Sequence, residues 1–204
     1  ASFADVREKA DAVIDFSNAA NLKNILAYAE KFCVPVVLAA TGYTADDLEA
    51  IEKASQKIAV FKTANLSVGI NLLQKLVKEA AAFLGDQFDI EIVEKHHNLK
   101  KDAPSGTALM LAESANEAFC GGKTFIYGRE GMVGARSKKE IGIHAVRGGT
   151  IVGEHEVMFA GEDEIITLSH SARSKKVFAA GAVTAAKFIA GKPAGKYDMH
   201  DVLA

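Results

Sequence analysis

Three short apolar runs in the first third of the chain are separated by stretches of helical period, and this alternation limits the fold more than any other feature. The runs are Ala12-Val-Ile-Asp-Phe16, Val34-Pro-Val-Val-Leu-Ala39 and Ile58-Ala-Val-Phe61. Between the first two, Leu22, Ile25, Leu26, Ala29 and Phe32 recur at the spacing of one helix face; between the second and third, Leu48, Ile51 and Ala54 do the same. Ser17 or Asn18 is placed to cap the first of these helices and Thr44 the second. Strands joined by helices of this length form right-handed βαβ units and a parallel sheet. Ligands of such sheets bind beyond the carboxyl ends of the strands. Here those ends are Phe16-Ser17, Ala39-Ala-Thr-Gly42 and Thr63-Ala-Asn-Leu66. Small side chains at the second end would let a flat ligand lie against the backbone.

The pattern changes further on. Asn65 or Ser67 caps a long helix carrying Val68, Leu72, Leu76, Ala80 and Phe83, which ends at Gly85. Phe88, Ile90 and Ile92 then alternate with Asp89 and Glu91, the period of a strand with one buried face. Residues 127–140 are rich in Gly and charge and read as a flexible loop. Residues 141–146, 150–159 and 164–170, joined by Gly148-Gly149 and Gly161-Glu-Asp163, read as an antiparallel meander. A last helix starts at Ser174. The fold class expected is α/β, with a partial Rossmann-like parallel sheet followed by an α+β part whose sheet is mixed and largely antiparallel. The meander's apolar residues are expected on both faces, one packed on a helix and the other covered by a partner subunit.

With 204 residues, 49% hydrophobic and a net charge of −2, nothing in the composition argues for a nucleic-acid or membrane partner. Cys33 and Cys120 are too few for a disulfide framework and read as free thiols of a reducing cytoplasm. No pair of histidines has metal-site spacing, so no metal is expected. His144, His155 and His170 fall on expected strands and read as structural; Arg147 and Lys175 read as exposed basic residues.

The chemistry concentrates in one strand-to-helix connection, Glu94-Lys-His-His-Asn-Leu-Lys-Lys-Asp-Ala-Pro-Ser-Gly-Thr107. His96 or His97 suits general acid work near neutral pH. Lys100 and Lys101 favour an anionic ligand. Pro104 suits a first helical turn and Ser105 a cap. Gly106 and Thr107 then offer N–H groups at the positive end of a helix. Together these residues read as a carboxylate- or phosphate-binding loop with an acid beside it.

Glu94-Lys-His-His followed by Lys100-Lys-Asp-Ala-Pro-Ser-Gly-Thr-Ala108 resembles the signature of the dihydrodipicolinate reductase family. The likeness extends to Ile143-His-Ala-Val-Arg-Gly-Gly-Thr-Ile-Val-Gly-Glu-His-Glu-Val157 and Tyr197-Asp-Met-His-Asp-Val-Leu203. It implies a cytoplasmic homotetrameric enzyme of the diaminopimelate route to lysine, which transfers hydride from NADH or NADPH to a cyclic unsaturated dicarboxylate. It also implies a dinucleotide-binding domain over 1–65, completed by the tail 191–204, and a substrate-binding and tetramerisation domain over 66–190. In roles carried over from the resemblance, His96 is the proton donor and Lys100 its catalytic partner. His97, Ser105, Gly106 and Thr107 hold the substrate carboxylates. Ala39, Ala40, Thr41, Thr63, Ala64, Asn65 and Leu66 touch the cofactor. The family's Gly-Thr-Thr-Gly is here Ala39-Ala-Thr-Gly42, which removes side-chain contacts at its first two positions but not backbone ones. The sequence has no G-x-G-x-x-G run to hold a pyrophosphate. Two expectations follow: that the chain as written is inactive, or that it is a non-catalytic dicarboxylate-binding and assembly module.

Overall fold

A computed structural model describes residues 5–204, and the chain divides into two compact units, 1–68 with 176–204, and 69–175. In the first unit β1 (Val13–Asp15), β2 (Val36–Leu38), β3 (Ala59–Lys62) and β9 (Gly195–Tyr197) form a fully parallel sheet in that order. Helices α1 (Leu22–Phe32) and α2 (Ala45–Ser55) bury Leu22, Ile25, Leu26, Ile51 and Ala54 against Val36, Leu38 and Val60 on one face. Helix α5 (Lys176–Ile189) covers the other face, packing Ala182, Ala185 and Ile189 against Val37, Ala59 and Phe61. Alternation along each strand sends successive side chains to opposite faces, so strands buried on both sides are apolar throughout.

The helix starts follow their chemistry. Thr44 accepts from the Asp47 N–H at 3.2 Å while the Asp47 carboxylate accepts from the Thr44 N–H at 2.9 Å, a reciprocal cap for α2. Asn18 caps a short 3-10 turn (Ala19–Asn21) that runs into α1, so Ser17 is not the cap. The short helix α6 (Met199–Val202) is capped by Asp198.

The expected division placed residues 66–190 in one domain, but α5 belongs to the first unit. Its Gly181 lies against the Leu66 carbonyl, where any Cβ would overlap that oxygen. The helix therefore sits close to the parallel sheet because its contact face is Gly and Ala.

The second unit contains α3 (Val68–Leu84), whose first residue precedes the division, α4 (Gly106–Glu117) and a five-stranded mixed sheet. Its order is β5 (Thr124–Tyr127), β6 (Glu140–Arg147), β4 (Asp89–His96), β7 (Gly153–Ala160), β8 (Ile165–Ala172). Pairs β5/β6 and β6/β4 are parallel; β4/β7 and β7/β8 are antiparallel. The Gly148-Gly149 segment is not a hairpin turn, because β4 lies between β6 and β7. Pairing a strand on both sides with 8-residue partners satisfies more backbone groups than a three-stranded meander.

Ile90, Ile92, Ile141, Ile143, Val157 and Phe159 point to the helices and make the core with Ile70, Leu73, Val77 and Leu111. The opposite face carries Glu91, Lys95, His144, Glu154 and Glu156 with Val93, Val146 and Met158. It is therefore largely polar, contrary to the expectation of apolar residues on both faces. Among the described residues no helix is long and apolar enough to cross a membrane.

Candidate active site

The signature begins inside a strand. Strand β4 continues through His96, so Glu94 and His96 share the helix-facing side with Ile90 and Ile92. Glu94 is 0% exposed. A carboxylate buried this way needs partners for both oxygens, and it has three, making four hydrogen bonds. His96 Nδ1 lies 2.6 Å from Oε2, and Arg147 donates to both oxygens at 2.8 and 2.7 Å. The Ser105 N–H donates to Oε1 at 3.0 Å. Burial by itself pushes the Glu94 carboxyl up; Arg147, His96 and the Ser105 N–H outweigh it and hold the group below the usual carboxylate range.

These bonds join three elements. Arg147 ends β6 and also donates to the Asp102 carbonyl at 2.7 Å. Ser105 is the N-cap of α4, its hydroxyl accepting from the Ala108 N–H at 3.2 Å. Pro104 thus precedes the helix instead of lying in its first turn, and the Ala103–Pro104 peptide is cis. The turn after β6 is tied back by Gly148 N–H to the His96 carbonyl (2.9 Å) and Asn98 N–H to the Gly149 carbonyl (3.2 Å).

Ser105 Oγ lies 3.0 Å from His155 Nε2. His155 is 5% exposed, and its ring meets that of His96 edge-on at 5.2 Å. Burial first, then the charge of His96, lower its pKa to about 4, so it is neutral at pH 7. Opposite His96 on the neighbouring strand, Gly153 leaves space: a Cβ there would lie 3.1 Å from His96 Nε2.

Of the residues assigned to the substrate, Ser105 is buried with its N–H already given to Glu94, so it cannot offer that N–H to an external anion. Gly106 is exposed and its open side meets nothing within 4 Å; as the first helical residue its N–H has no acceptor within the helix. Thr107 is half-buried beside it. His97 follows the end of the strand, and its Nδ1 is buried without a hydrogen-bond partner among the described residues. Lys100 Nζ is held by both Asp102 oxygens at 2.7 and 2.8 Å. The sequence reading missed Glu94, Arg147 and His155. A glutamate in phase with Ile90 and Ile92 was the available signal.

The residues assigned to the cofactor gather in the first unit. Ala39, Ala40 and Thr41 follow β2, and Thr63, Ala64, Asn65 and Leu66 follow β3; with Phe16 and Phe178 they line a cavity of about 220 Å³. Small side chains at the ends of parallel strands, with Phe16 half-exposed beside them, fit one flat ring of a nucleotide.

Two family models match the chain, dihydrodipicolinate reductase, N-terminus, over residues 1–66 and dihydrodipicolinate reductase, C-terminus, over 69–203. The chain belongs to the dihydrodipicolinate reductase family. It is 54% identical to the 4-hydroxy-tetrahydrodipicolinate reductase of Caldanaerobacter subterraneus subsp. tengcongensis, over 98% of this chain and 79% of that one. It is 49% identical to that of Clostridium perfringens, over 95% and 76%. The dipicolinate-bound dihydrodipicolinate reductase of Paenisporosarcina sp. TG-14 superposes with a TM-score of 0.75 at 26% identity, over 92% of this chain and 71% of that one. As a reductase of this family the chain is an oxidoreductase that works with a nicotinamide cofactor. The expectation of an inactive chain is not borne out, and with residues 1–66 matched to the family's N-terminal model, nothing favours a module without a nucleotide half.

Proposed function

We propose that the chain transfers hydride from NADH or NADPH to a cyclic unsaturated dicarboxylate, giving tetrahydrodipicolinate in the diaminopimelate route to lysine. The observation that carries this reading is the fully buried Glu94 carboxylate, which ties His96 at the end of β4 to the first turn of α4. An acid is thereby fixed beside an anion-binding helix start. The cofactor, when bound at the strand ends Ala39–Thr41 and Thr63–Leu66, supplies the hydride. His96, protonated on both nitrogens with Nδ1–H on Glu94, donates its Nε2 proton to the carbon next to the hydride acceptor, where carbanion character develops, and is left as the neutral Nδ1–H ring. Gly106, Thr107, His97 and Lys100 receive the substrate carboxylates, with Lys100 exchanging Asp102 for the ligand. Ser105 serves from behind, as cap and as donor to Glu94.

A positioned proton donor contributes about 10²–10⁴-fold. His96→Gln therefore lowers kcat by that factor and changes KM little; a normal kcat would remove His96 from the role. Lys100→Ala weakens binding of pyridine-2,6-dicarboxylate by about tenfold, the low end for a charge-assisted bond because Asp102 already neutralises the ammonium. Superimposable titrations of the two proteins would contradict that contact.

The resemblance also supports a cytoplasmic homotetramer. The largely polar open face of the mixed sheet suits pairing by charge and hydrogen bonds. Light scattering that gives a monomer at micromolar concentration would overturn the assembly.

A further inference from the structure

Glu94 accepts four hydrogen bonds and is ionised, so it has no proton to give. The 2.6 Å contact with His96 therefore requires the ring proton on Nδ1. Nε2 is left as the exchangeable nitrogen, and it is the one that faces Gly153. Arg147 spans both Glu94 oxygens and is itself anchored on the Asp102 carbonyl, so the carboxylate cannot turn away from the ring.

We infer that Glu94 and Arg147 are positioning residues for proton transfer. Arg147 fixes the Glu94 carboxylate, and Glu94 fixes His96 as the Nδ1–H tautomer with Nε2 turned toward the substrate. The inference rests on the reductase reading for its catalytic meaning, while the tautomer itself is a property of the ligand-free protein.

Glu94→Gln separates position from shape. The amide oxygen stays with the two donors on the Oε1 side, Ser105 N–H and Arg147 Nη2, and the amide NH₂ then faces Nδ1 and displaces Arg147 Nη1 from the Oε2 position. His96 accepts that bond only with Nδ1 bare and its one proton on Nε2, so giving that proton up would leave an imidazolate instead of the neutral Nδ1–H ring.

The test is a nitrogen NMR spectrum of protein labelled in its imidazole rings, at alkaline pH where the rings are neutral. The His96 signals are identified by their absence in His96→Gln. The wild type is expected to carry the proton on Nδ1, and Glu94→Gln on Nε2. Glu94→Gln is expected to lose about 10²-fold in kcat, within the range for a positioned acid, with KM changed less than about threefold. Arg147→Lys keeps the charge and the tautomer and is expected to lose less.

A wild-type His96 with its proton on Nε2 would overturn the inference without any variant having to fold. So would Glu94→Gln with the Nδ1–H tautomer retained and kcat reduced, because the residue would then act only on structure. An unchanged kcat in Glu94→Gln would overturn it as well. Wild-type protein with the expected tautomer and no reductase activity would instead overturn the assigned reaction.

Discussion

Strand β4 carries two glutamates with the same kinds of partner and opposite fates. Glu94 meets Arg147 and His96 on the helix side; Glu91, three residues earlier, meets Arg129, Arg136 and His144 on the open side. An odd spacing on a strand puts them on opposite faces. Both carboxyls are held low, Glu91 to about 2 despite partial burial, which acts the other way. The difference lies in the surroundings. Glu94 is sealed, bonded to the start of α4, and leaves His96 Nε2 facing Gly153, which has no side chain. Glu91 binds His144 through Nε2 itself, at 2.8 Å, and its arginines anchor the 128–136 loop. An Arg–Glu–His cluster alone is thus not a site. In the proposed reading it becomes one where the histidine keeps a nitrogen free beside the start of α4.

The sharpest way to break this comparison is to remove each histidine. His144→Gln is expected to leave kcat within about twofold of wild type, against the 10²–10⁴-fold loss for His96→Gln. A comparable loss in both would mean that the open face takes part in the reaction.

Acid titration comes next. His155 is held at about 4 against a usual 6.5. Between those values the unfolded chain takes up a proton that the folded one refuses, so stability falls as pH falls through that window, by about 3 kcal/mol in all. Glu91 acts lower. Its folded value is about 2 against 4.5, so its contribution is complete above 4.5 and is lost as pH falls toward 2. Denaturant unfolding at a series of pH values should show His155→Gln flattening only the upper window and Glu91→Gln only the lower. The opposite assignment of windows would invert the comparison of the two faces.

The smallest effects concern two strand glycines. A Cβ at Gly142 would overlap the Glu91 carboxylate, and one at Gly153 would press on His96 Nε2. Gly142→Ala is expected to cost about 1 kcal/mol of stability by dislodging an exposed-side ion pair, with kcat unchanged. Gly153→Ala is expected to reduce kcat by roughly 3–10-fold through a small displacement of the acid, with stability nearly unchanged. Exchanged outcomes would refute the division between a structural face and a chemical one.

Local chemistry made much of this legible. Thr44 and Ser105 cap the helices they were expected to cap, because capping depends on residues within one turn. The apolar runs became strands for the same reason, and His96, His97 and Gly106 lie together around one strand end and helix start. Partners distant in sequence were not legible. Arg147 reads as an ordinary basic residue until β6 is placed beside β4, 53 positions earlier. Gly148-Gly149 reads as a hairpin because no local signal announces that a third strand will be inserted there. The sheet that α5 covers is not legible because an apolar face does not name its partner, although Gly181, Ala182 and Ala185 mark a close approach.

The parallel unit is built from both ends of the described chain. Helices α5 and α6 supply Ala185, Ile189 and Met199, all fully buried, to a sheet completed by β9 whose other strands end at Lys62. During synthesis, β1 to β3 leave the ribosome together with α1 and α2, which cover one face, and ahead of α5, which covers the other. More than a hundred residues, including the whole of the second unit, must follow before α5 arrives. The second unit can close on its own segment as soon as β8 has emerged. On the face that α5 covers, β1 to β3 are therefore sealed only after the whole second unit has been made.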